Sequence, residues 1–98
     1  FANDYDYENW VTKALDYYCD KNDLVILLSA SGNSQNIVNA AKYCNRKKIN
    51  LITLSGINEK NKLRKLGKIN FFVKSKNYNV VELIQLNTLL AIVENLKK

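Results

Sequence analysis

An apolar run that empties into a hydroxyl-rich turn constrains the fold of this chain more than any other feature. Residues 24–28 read Leu-Val-Ile-Leu-Leu, and residues 29–34 read Ser-Ala-Ser-Gly-Asn-Ser. A continuous apolar run of this length is typical of a parallel strand that is buried on both faces. The turn after it would lie at the carboxyl edge of the sheet, where the next helix points its free amide groups. The pattern therefore predicts a binding loop at residues 29–34.

The composition of this loop indicates which ligands it would hold. Ser29, Ser31 and Ser34 supply hydroxyl donors, and the loop contains no lysine or arginine. A phosphate group bound here would be held by neutral donors and by the positive end of the following helix. The alternative is that Ser31 and Asn33 merely cap that helix.

The rest of the chain alternates between helical and strand-like hydrophobic periods. These periods predict helices at about residues 7–18, 34–45, 62–66 and 80–97, and strands at 24–28, 50–54 and 69–73. The order is typical of an α/β fold with a doubly wound parallel sheet and flanking helices, a Rossmann-like three-layer sandwich. Gly67 is predicted to end the short third helix in the left-handed conformation. The apolar surface of the last helix predicts a contact between subunits as well as one within the chain.

The charge of the chain raises the question of a nucleic-acid partner. The formal net charge is +6 and the sequence pI is about 9.4. The cations lie mostly where predicted elements end, as at residues 46–48 and 97–98. Helix carboxyl ends and turns favour solvated cations for dipole and solubility reasons alone. We therefore expect no nucleic-acid partner, although the field would attract small anions.

Apolar patterning and cysteine spacing indicate a soluble protein of the cytoplasm. Hydrophobic residues make up 47% of the chain, but no apolar run approaches the roughly 20 residues that span a bilayer. Cys19 and Cys44 lack the close spacing of a redox pair or a zinc site. We expect no membrane contact and interpret both cysteines as reduced packing residues.

The loop resembles the phosphosugar loop of the sugar isomerase (SIS) domains, which has the form Ser-x-Ser-Gly-x-Ser or Thr. The match is Ser29-Ala30-Ser31-Gly32-Asn33-Ser34. Residues 3–7, 33–37 and 52–56 read Asn-Asp-Tyr-Asp-Tyr, Asn-Ser-Gln-Asn-Ile and Ile-Thr-Leu-Ser-Gly. In this order they resemble segments of the phosphoheptose (sedoheptulose 7-phosphate) isomerases, a subfamily of the SIS proteins. The resemblance extends over essentially the whole chain.

The resemblance implies an SIS-type fold in which residues 1–98 are the carboxyl-terminal portion of a single SIS domain, since complete domains of the family are nearly twice as long. It implies a sugar phosphate as ligand, a homotetramer, a role in lipopolysaccharide synthesis, and zinc as a possible cofactor. The substrate-binding residues that it implies are Asn3, Asp4, Ser29, Ala30, Ser31, Gly32, Asn33 and Ser34. For the first two of these, the alternative is a polar segment without a binding role.

The last helix departs from the family pattern. The resembling isomerases carry a Gln and, two turns later, a His there as zinc ligands, and the His is also a proton-transfer candidate. Val81 and Leu89 stand at these positions, and the sequence contains no histidine. A shifted alignment offers Gln85 and Asn87 instead. An aldose-ketose isomerase needs a base near neutral pKa. Glu82 is the candidate on this helix, and the alternative is that Glu82 is a solvated surface carboxylate. We therefore identify no metal ligand.

Two functions are compatible with these observations. The first is an isomerase that acts on sedoheptulose 7-phosphate or a related sugar phosphate. The second is a non-catalytic SIS module that binds a sugar phosphate as a sensor or adaptor. The loop and the residues 3–7 favour the isomerase, whereas the lack of histidine favours the sensor.

Overall fold

The protein forms a small parallel sheet with helices on both faces. The computed structural model describes residues 9–20 and 22–96. The elements along them are α1 (Trp10–Tyr18), β1 (Leu24–Leu28), α2 (Gln35–Lys47), β2 (Asn50–Gly56), a 3-10 helix (Leu63–Lys65), β3 (Ile69–Val73) and α3 (Tyr78–Leu96). The strands are parallel and lie in the order β1-β2-β3. The predicted α/β class and parallel sheet are confirmed.

Helix α2 covers one face of the sheet and forms the main core there. The helix ends at Lys48, which adopts the left-handed conformation with φ 60°, after Arg46 and Lys47 in the last turn. Cations in this position interact favourably with the helix dipole. The core under α2 consists of Val25, Leu27, Ala40, Ala41, Tyr43, Cys44, Ile49, Leu51 and Leu63. Helix α1 adds Val11 and Leu15 to the edge of this core.

Helix α3 lies on the opposite face of the sheet. It begins after Asn77, whose Oδ1 accepts hydrogen bonds from the backbone N–H groups of Asn79 (2.9 Å) and Val80 (3.3 Å). Val81 is fully buried and packs on Gly56, where an added Cβ would come within 2.6 Å of Val81 Cγ1. Gly56 is five residues from Leu51 along β2, so the two face opposite sides of the sheet. The predicted three-layer arrangement is therefore confirmed.

The sequence predicts that strand β1 is buried on both faces, and the structure differs from this prediction. Val25 and Leu27 are buried under α2, but Leu24 and Leu28 are 39% and 38% exposed. The physical reason is that α3 packs on β2 and β3. Within the described residues, the α3 side of β1 is therefore left partly open.

Gly67 also differs from the sequence-based expectation. Among the described glycines, Gly32 is the one with a positive φ. A Cβ at Gly67 would instead come within 2.5 Å of Thr53 Oγ1 and 2.8 Å of the Ile69 carbonyl oxygen. Close packing against β2, rather than a left-handed turn, therefore accounts for glycine at this position.

Both cysteines are free thiols, as predicted. Cys44 is fully buried in the core under α2, and Cys19 is partly buried at the end of α1. In the part of the chain that the structure describes, no helix has both the length and the apolar character that crossing a membrane requires.

Candidate functional site

The loop of residues 29–34 leaves the carboxyl end of β1, as predicted. The Ser29 N–H donates to the Leu54 carbonyl oxygen at 3.0 Å, so the loop starts as a continuation of the β1–β2 ladder. The chain then turns at Gly32, whose φ is 72°. The Gly32 N–H donates to both the carbonyl oxygen and the Oγ of Ser29, each at 3.1 Å. The glycine thus serves a left-handed turn that side chains rarely adopt.

Ser29 and Ser31 hold the loop together. The Ser31 Oγ accepts a hydrogen bond from the Asn33 N–H at 3.1 Å, and the two serine oxygens lie 3.5 Å apart. The amide hydrogens of Gly32 and Asn33 therefore point at hydroxyls of the same loop. This part of the loop supports its own shape, so these two amides are not open to a ligand.

Residues 57–62, the segment after β2 that we call the brace, contact the loop and hold it in place. The Asn33 Oδ1 accepts the Lys62 N–H at 3.0 Å, and the Gly32 carbonyl oxygen accepts the Leu63 N–H at 2.9 Å. The Asn33 side chain is therefore engaged with the brace rather than capping α2. The sequence predicts Asn33 as a helix cap or as a ligand contact, and the bond to Lys62 corrects the first of these.

Asn61 is the central residue of this brace, and sequence reasoning missed it. Its side chain is 1% exposed and lies directly against Gly32, where a Cβ would come within 2.1 Å of Asn61 Oδ1. Its Nδ2 donates to the Asn58 carbonyl oxygen at 2.8 Å, and its Oδ1 accepts the Arg64 N–H at 2.8 Å. A signal was present in the sequence only as an asparagine among lysines, a pattern that an exposed loop shows as well.

Ser34 occupies the N-cap of α2 without capping it. Its side chain makes no hydrogen bond to the helix backbone, whereas a serine at this position usually accepts one. The first backbone N–H groups of any helix lack partners within the helix and carry its positive dipole end. The Ser34 hydroxyl and these amides together form a donor group suited to an anion.

A cavity of about 410 Å³ connects this donor group to helix α3. Its lining residues are Leu28, Ser29, Ala30, Ser34, Ile37, Glu82, Gln85, Leu86 and Leu89. The structure thus brings together three predicted loop residues and the predicted carboxylate, Glu82. Ser31, Gly32 and Asn33 are not among the lining residues, which agrees with their hydrogen bonds inside the loop and to the brace.

The cavity does not provide a zinc site from the described residues. Glu82 is the one carboxylate in its lining, and zinc usually takes three or four protein ligands from imidazole, thiolate and carboxylate groups. Val81, at the position of a family ligand, is buried against Gly56. Leu89, at the position of the family His, contributes only apolar surface. Among the residues the structure describes, no three ionisable or thiol ligands cluster.

Two predicted binding residues, Asn3 and Asp4, lie outside the described residues. A residue that sequence reasoning considered only through a shifted alignment lies at the centre of the site instead. Gln85 of α3 is buried against the loop, and its Nε2 donates to the Ser29 carbonyl oxygen at 3.1 Å. Gln85 is one of several polar residues of α3, so no local sequence pattern singles it out.

Comparison with known proteins gives similarities in both sequence and fold. No protein-family model matches the chain. Phosphoheptose isomerase 2 of Campylobacter jejuni is 44% identical over 55 residues, which cover 56% of this chain and 27% of that protein. Phosphoheptose isomerase of Buchnera aphidicola is 30% identical over 78 residues, which cover 80% of this chain and 40% of that protein.

The fold is that of a solved relative. The structure of phosphoheptose isomerase GmhA from Neisseria gonorrhoeae superposes with a TM-score of 0.83 at 20% identity, covering 94% of this chain and 52% of that one. The chain thus spans about half of the solved structure and less than half of each of the two relatives above. In sequence and in fold, the chain is related to the phosphoheptose isomerases of the SIS family.

Proposed function

We propose that residues 1–98 form the carboxyl-terminal portion of a single SIS domain that isomerises sedoheptulose 7-phosphate or a related sugar phosphate. The carrying observation is Ser34, which stands at the N-terminus of α2, leaves the helix uncapped and lines the cavity. A phosphoryl group at this point would take the Ser34 hydroxyl and the first α2 amides as donors. The names of the similar proteins supply the substrate class.

The rest of the cavity suits the sugar part of such a ligand. Its volume of about 410 Å³ falls in the range of small-molecule sites. Glu82 lies in the lining together with Ser29 and Ser34. Aldose-ketose isomerisation moves a proton between adjacent carbons, so a carboxylate beside the sugar chain is the group that could accept and return it. In this proposal Asn3 and Asp4 contribute further contacts to the sugar hydroxyls.

The assembly and the setting belong to the same proposal. The protein is a cytoplasmic homo-oligomer, by resemblance a tetramer, and its product enters lipopolysaccharide synthesis. Exposed apolar residues along α3 support self-association. If zinc takes part in the reaction, its ligands come from outside the described residues, since the cavity lining offers one carboxylate.

A second function, a sugar-phosphate sensor or adaptor without turnover, is favoured by one observation. Leu89 lines the cavity where the family pattern has a His, and the sequence contains no histidine. A leucine can neither accept a proton nor bind a metal. In this reading the Ser34 end of the cavity still binds the phosphate group, and Glu82 contributes only polarity.

One experiment decides between these functions. The purified protein is incubated with sedoheptulose 7-phosphate, with and without added zinc, and the sugar phosphates are separated and quantified. In parallel, calorimetry measures binding of the same compound. Conversion to an aldose phosphate supports the isomerase. Binding without conversion supports the sensor, and the absence of both overturns the proposal that this is a phosphosugar site.

A further inference from the structure

Gln85 connects the middle of α3 to the first peptide of the loop. Its Nε2 donates a buried hydrogen bond of 3.1 Å to the Ser29 carbonyl oxygen, across 56 positions of sequence. The side chain is 1% exposed, and it also lines the cavity with Ser29, Ala30 and Ser34. A polar side chain in such a place is costly unless its hydrogen bonds are made.

The hydrogen bond from Gln85 to Ser29 restrains the turn at Gly32. The Ser29 carbonyl oxygen accepts the Gly32 N–H at 3.1 Å as well as the Gln85 amide. This carbonyl belongs to the peptide that joins Ser29 to Ala30, so its direction sets how the loop leaves β1. Holding the oxygen from two sides fixes that peptide plane, and with it the path of the chain toward Ser34.

Packing alone does not account for a glutamine at this position. The Gln85 Oε1 is buried and has no hydrogen-bond partner among the described residues, which is unfavourable for stability. Docking of α3 on the sheet is already provided one turn earlier by Val81, which is fully buried against Gly56. An apolar side chain of similar size would fill the Gln85 site without leaving a carbonyl oxygen unpaired.

We propose that Gln85 is a positioning residue for the phosphosugar loop, and that its contact with Ser29 keeps the loop in the shape that receives a sugar phosphate. The inference rests on the proposed function for its ligand. Its structural part concerns the order of the turn at Gly32, which is measurable without any ligand. The residue acts through Ser29 and is not assigned a contact with the substrate.

The test compares Gln85→Met, which keeps the volume and removes the amide, with Val81→Ala, which weakens α3 packing without touching a polar contact. Hydrogen exchange of the Gly32 amide is followed by NMR in the absence of ligand, together with the free energy of unfolding from urea titration. We expect Gln85→Met to keep the wild-type stability or exceed it and to accelerate Gly32 exchange by about fivefold, the effect of losing one hydrogen bond. We expect Val81→Ala to lower stability without this selective acceleration.

Binding of sedoheptulose 7-phosphate gives the second readout. We expect Gln85→Met to raise the Kd by about fivefold, while the folded fraction of Val81→Ala binds as the wild type does. Wild-type Gly32 exchange in Gln85→Met, or equal acceleration in both variants, would overturn the inference. If the wild type binds no sugar phosphate, the proposed function fails, and the Gly32 exchange still decides whether Gln85 positions the loop.

Discussion

Ser31 and Ser34 belong to one motif but have different surroundings. Replacing each of them by alanine should therefore have a different effect on ligand binding and on stability. Ser34 lines the cavity and makes no capping bond, so Ser34→Ala should weaken phosphosugar binding by about 1 to 2 kcal/mol through the loss of a donor to a charged acceptor. Its melting temperature should stay close to that of the wild type. Calorimetric titration and thermal unfolding measure the two effects.

Ser31→Ala is the matched control for this prediction. The Ser31 Oγ accepts the Asn33 N–H inside the loop and is absent from the cavity lining. We expect this variant to lose about 1 kcal/mol of stability and to bind more weakly only to the extent that the loop loosens. If Ser34→Ala lowers the melting temperature and leaves affinity unchanged, Ser34 is a helix cap and nothing more.

Among the described glycines, Gly32 is the one where an added Cβ would meet a neighbouring atom at the shortest distance. A side chain at φ 72° is strained, and a Cβ there would come within 2.1 Å of Asn61 Oδ1. We expect Gly32→Ala to lower the free energy of unfolding by about 2 kcal/mol or more, since the left-handed conformation alone costs about 1 to 2 kcal/mol. Urea titration measures this loss.

A double variant separates the two causes of that loss. Asn61→Ala removes the Oδ1 and Cγ atoms that a Cβ at Gly32 would meet at 2.1 and 2.2 Å, while the Asn61 Cβ at 2.7 Å stays. The stability loss of Gly32→Ala/Asn61→Ala should therefore be smaller than the sum of the losses of the two single variants. Strict additivity would show that the two side chains do not meet, which would contradict the geometry of the loop and its brace.

Cys44 should react slowly with alkylating agents. Burial, and to a lesser degree the nearby Cys19, raises the pKa of the Cys44 thiol from 9.0 to about 11. Between pH 9 and 11 the unfolded chain loses this proton before the folded one does, so the free energy of unfolding should fall across that window. At pH 8 iodoacetamide should modify the partly buried Cys19 first, as mass spectrometry of peptides would show. Equal rates for both thiols in the folded protein would contradict this burial.

At the scale of elements, the brace of residues 57–62 fixes the loop after β1 to the end of β2. Asn61 contributes most, because it is buried and its amide serves Asn58 and Arg64. We expect Asn61→Ala to cost about 2 kcal/mol of stability, since it removes two part-buried hydrogen bonds that are each worth about 1 kcal/mol. Asn33→Ala loses one exposed bond to Lys62, so about 1 kcal/mol is expected. A larger loss in Asn33→Ala than in Asn61→Ala would reverse this ranking.

The predicted bounds of these elements are most accurate where the apolar residues of the element itself define its ends. Strands β1 and β3 have the predicted bounds, Leu24–Leu28 and Ile69–Val73. Helix α3 begins at Tyr78, earlier than predicted, because the Asn77 side chain caps it and an asparagine among polar residues gave no apolar period to detect. The predicted left-handed conformation of Gly67 is wrong, because glycine is needed there for close contact with Thr53. That contact is made between distant parts of the chain, so no local sequence pattern indicates it.

The candidate site was predictable in part for the same reason. The position of the loop followed from the order of strand, turn and helix, and the structure confirms it at the carboxyl end of β1. Which hydroxyls face the cavity depends on bonds to distant segments, such as that from Lys62 to Asn33. The contact of Gln85 with Ser29 spans 56 positions and has no periodic signature. Which residues of the motif face the cavity and which ones stabilise the loop could therefore be determined only from the structure.

At the scale of the whole molecule, α3 is apolar around much of its circumference. Of its 19 residues, Val81 and Gln85 are buried. Three residues at heptad-like spacing form an exposed stripe that does not line the cavity: Leu83 at 60%, Leu90 at 54% and Val93 at 38%. A helix that is apolar on all sides is normally buried, so the outer side of α3 is suited to pack against another helix. This geometry supports the proposed self-association of identical chains.

Charge introduced on this stripe should therefore dissociate the assembly. Leu83 and Leu90 lie seven residues apart on one side of α3 and away from the cavity lining, so Leu83→Glu/Leu90→Glu would place two carboxylates in an apolar contact. We expect the double variant to sediment as a monomer at concentrations where the wild type is oligomeric, as analytical ultracentrifugation would measure.

The matched control places the same charge where α3 is already polar and exposed. Asn95→Glu adds a carboxylate to an exposed position on the side of the same helix that points away from Leu83 and Leu90, so it should leave the oligomeric state unchanged if the apolar stripe is the contact. A wild-type protein that sediments as a monomer would refute self-association through α3. An oligomer that survives the two glutamates at positions 83 and 90 would move the contact to another surface, and the partly open face beside Leu24 and Leu28 of β1 is then the apolar surface to test.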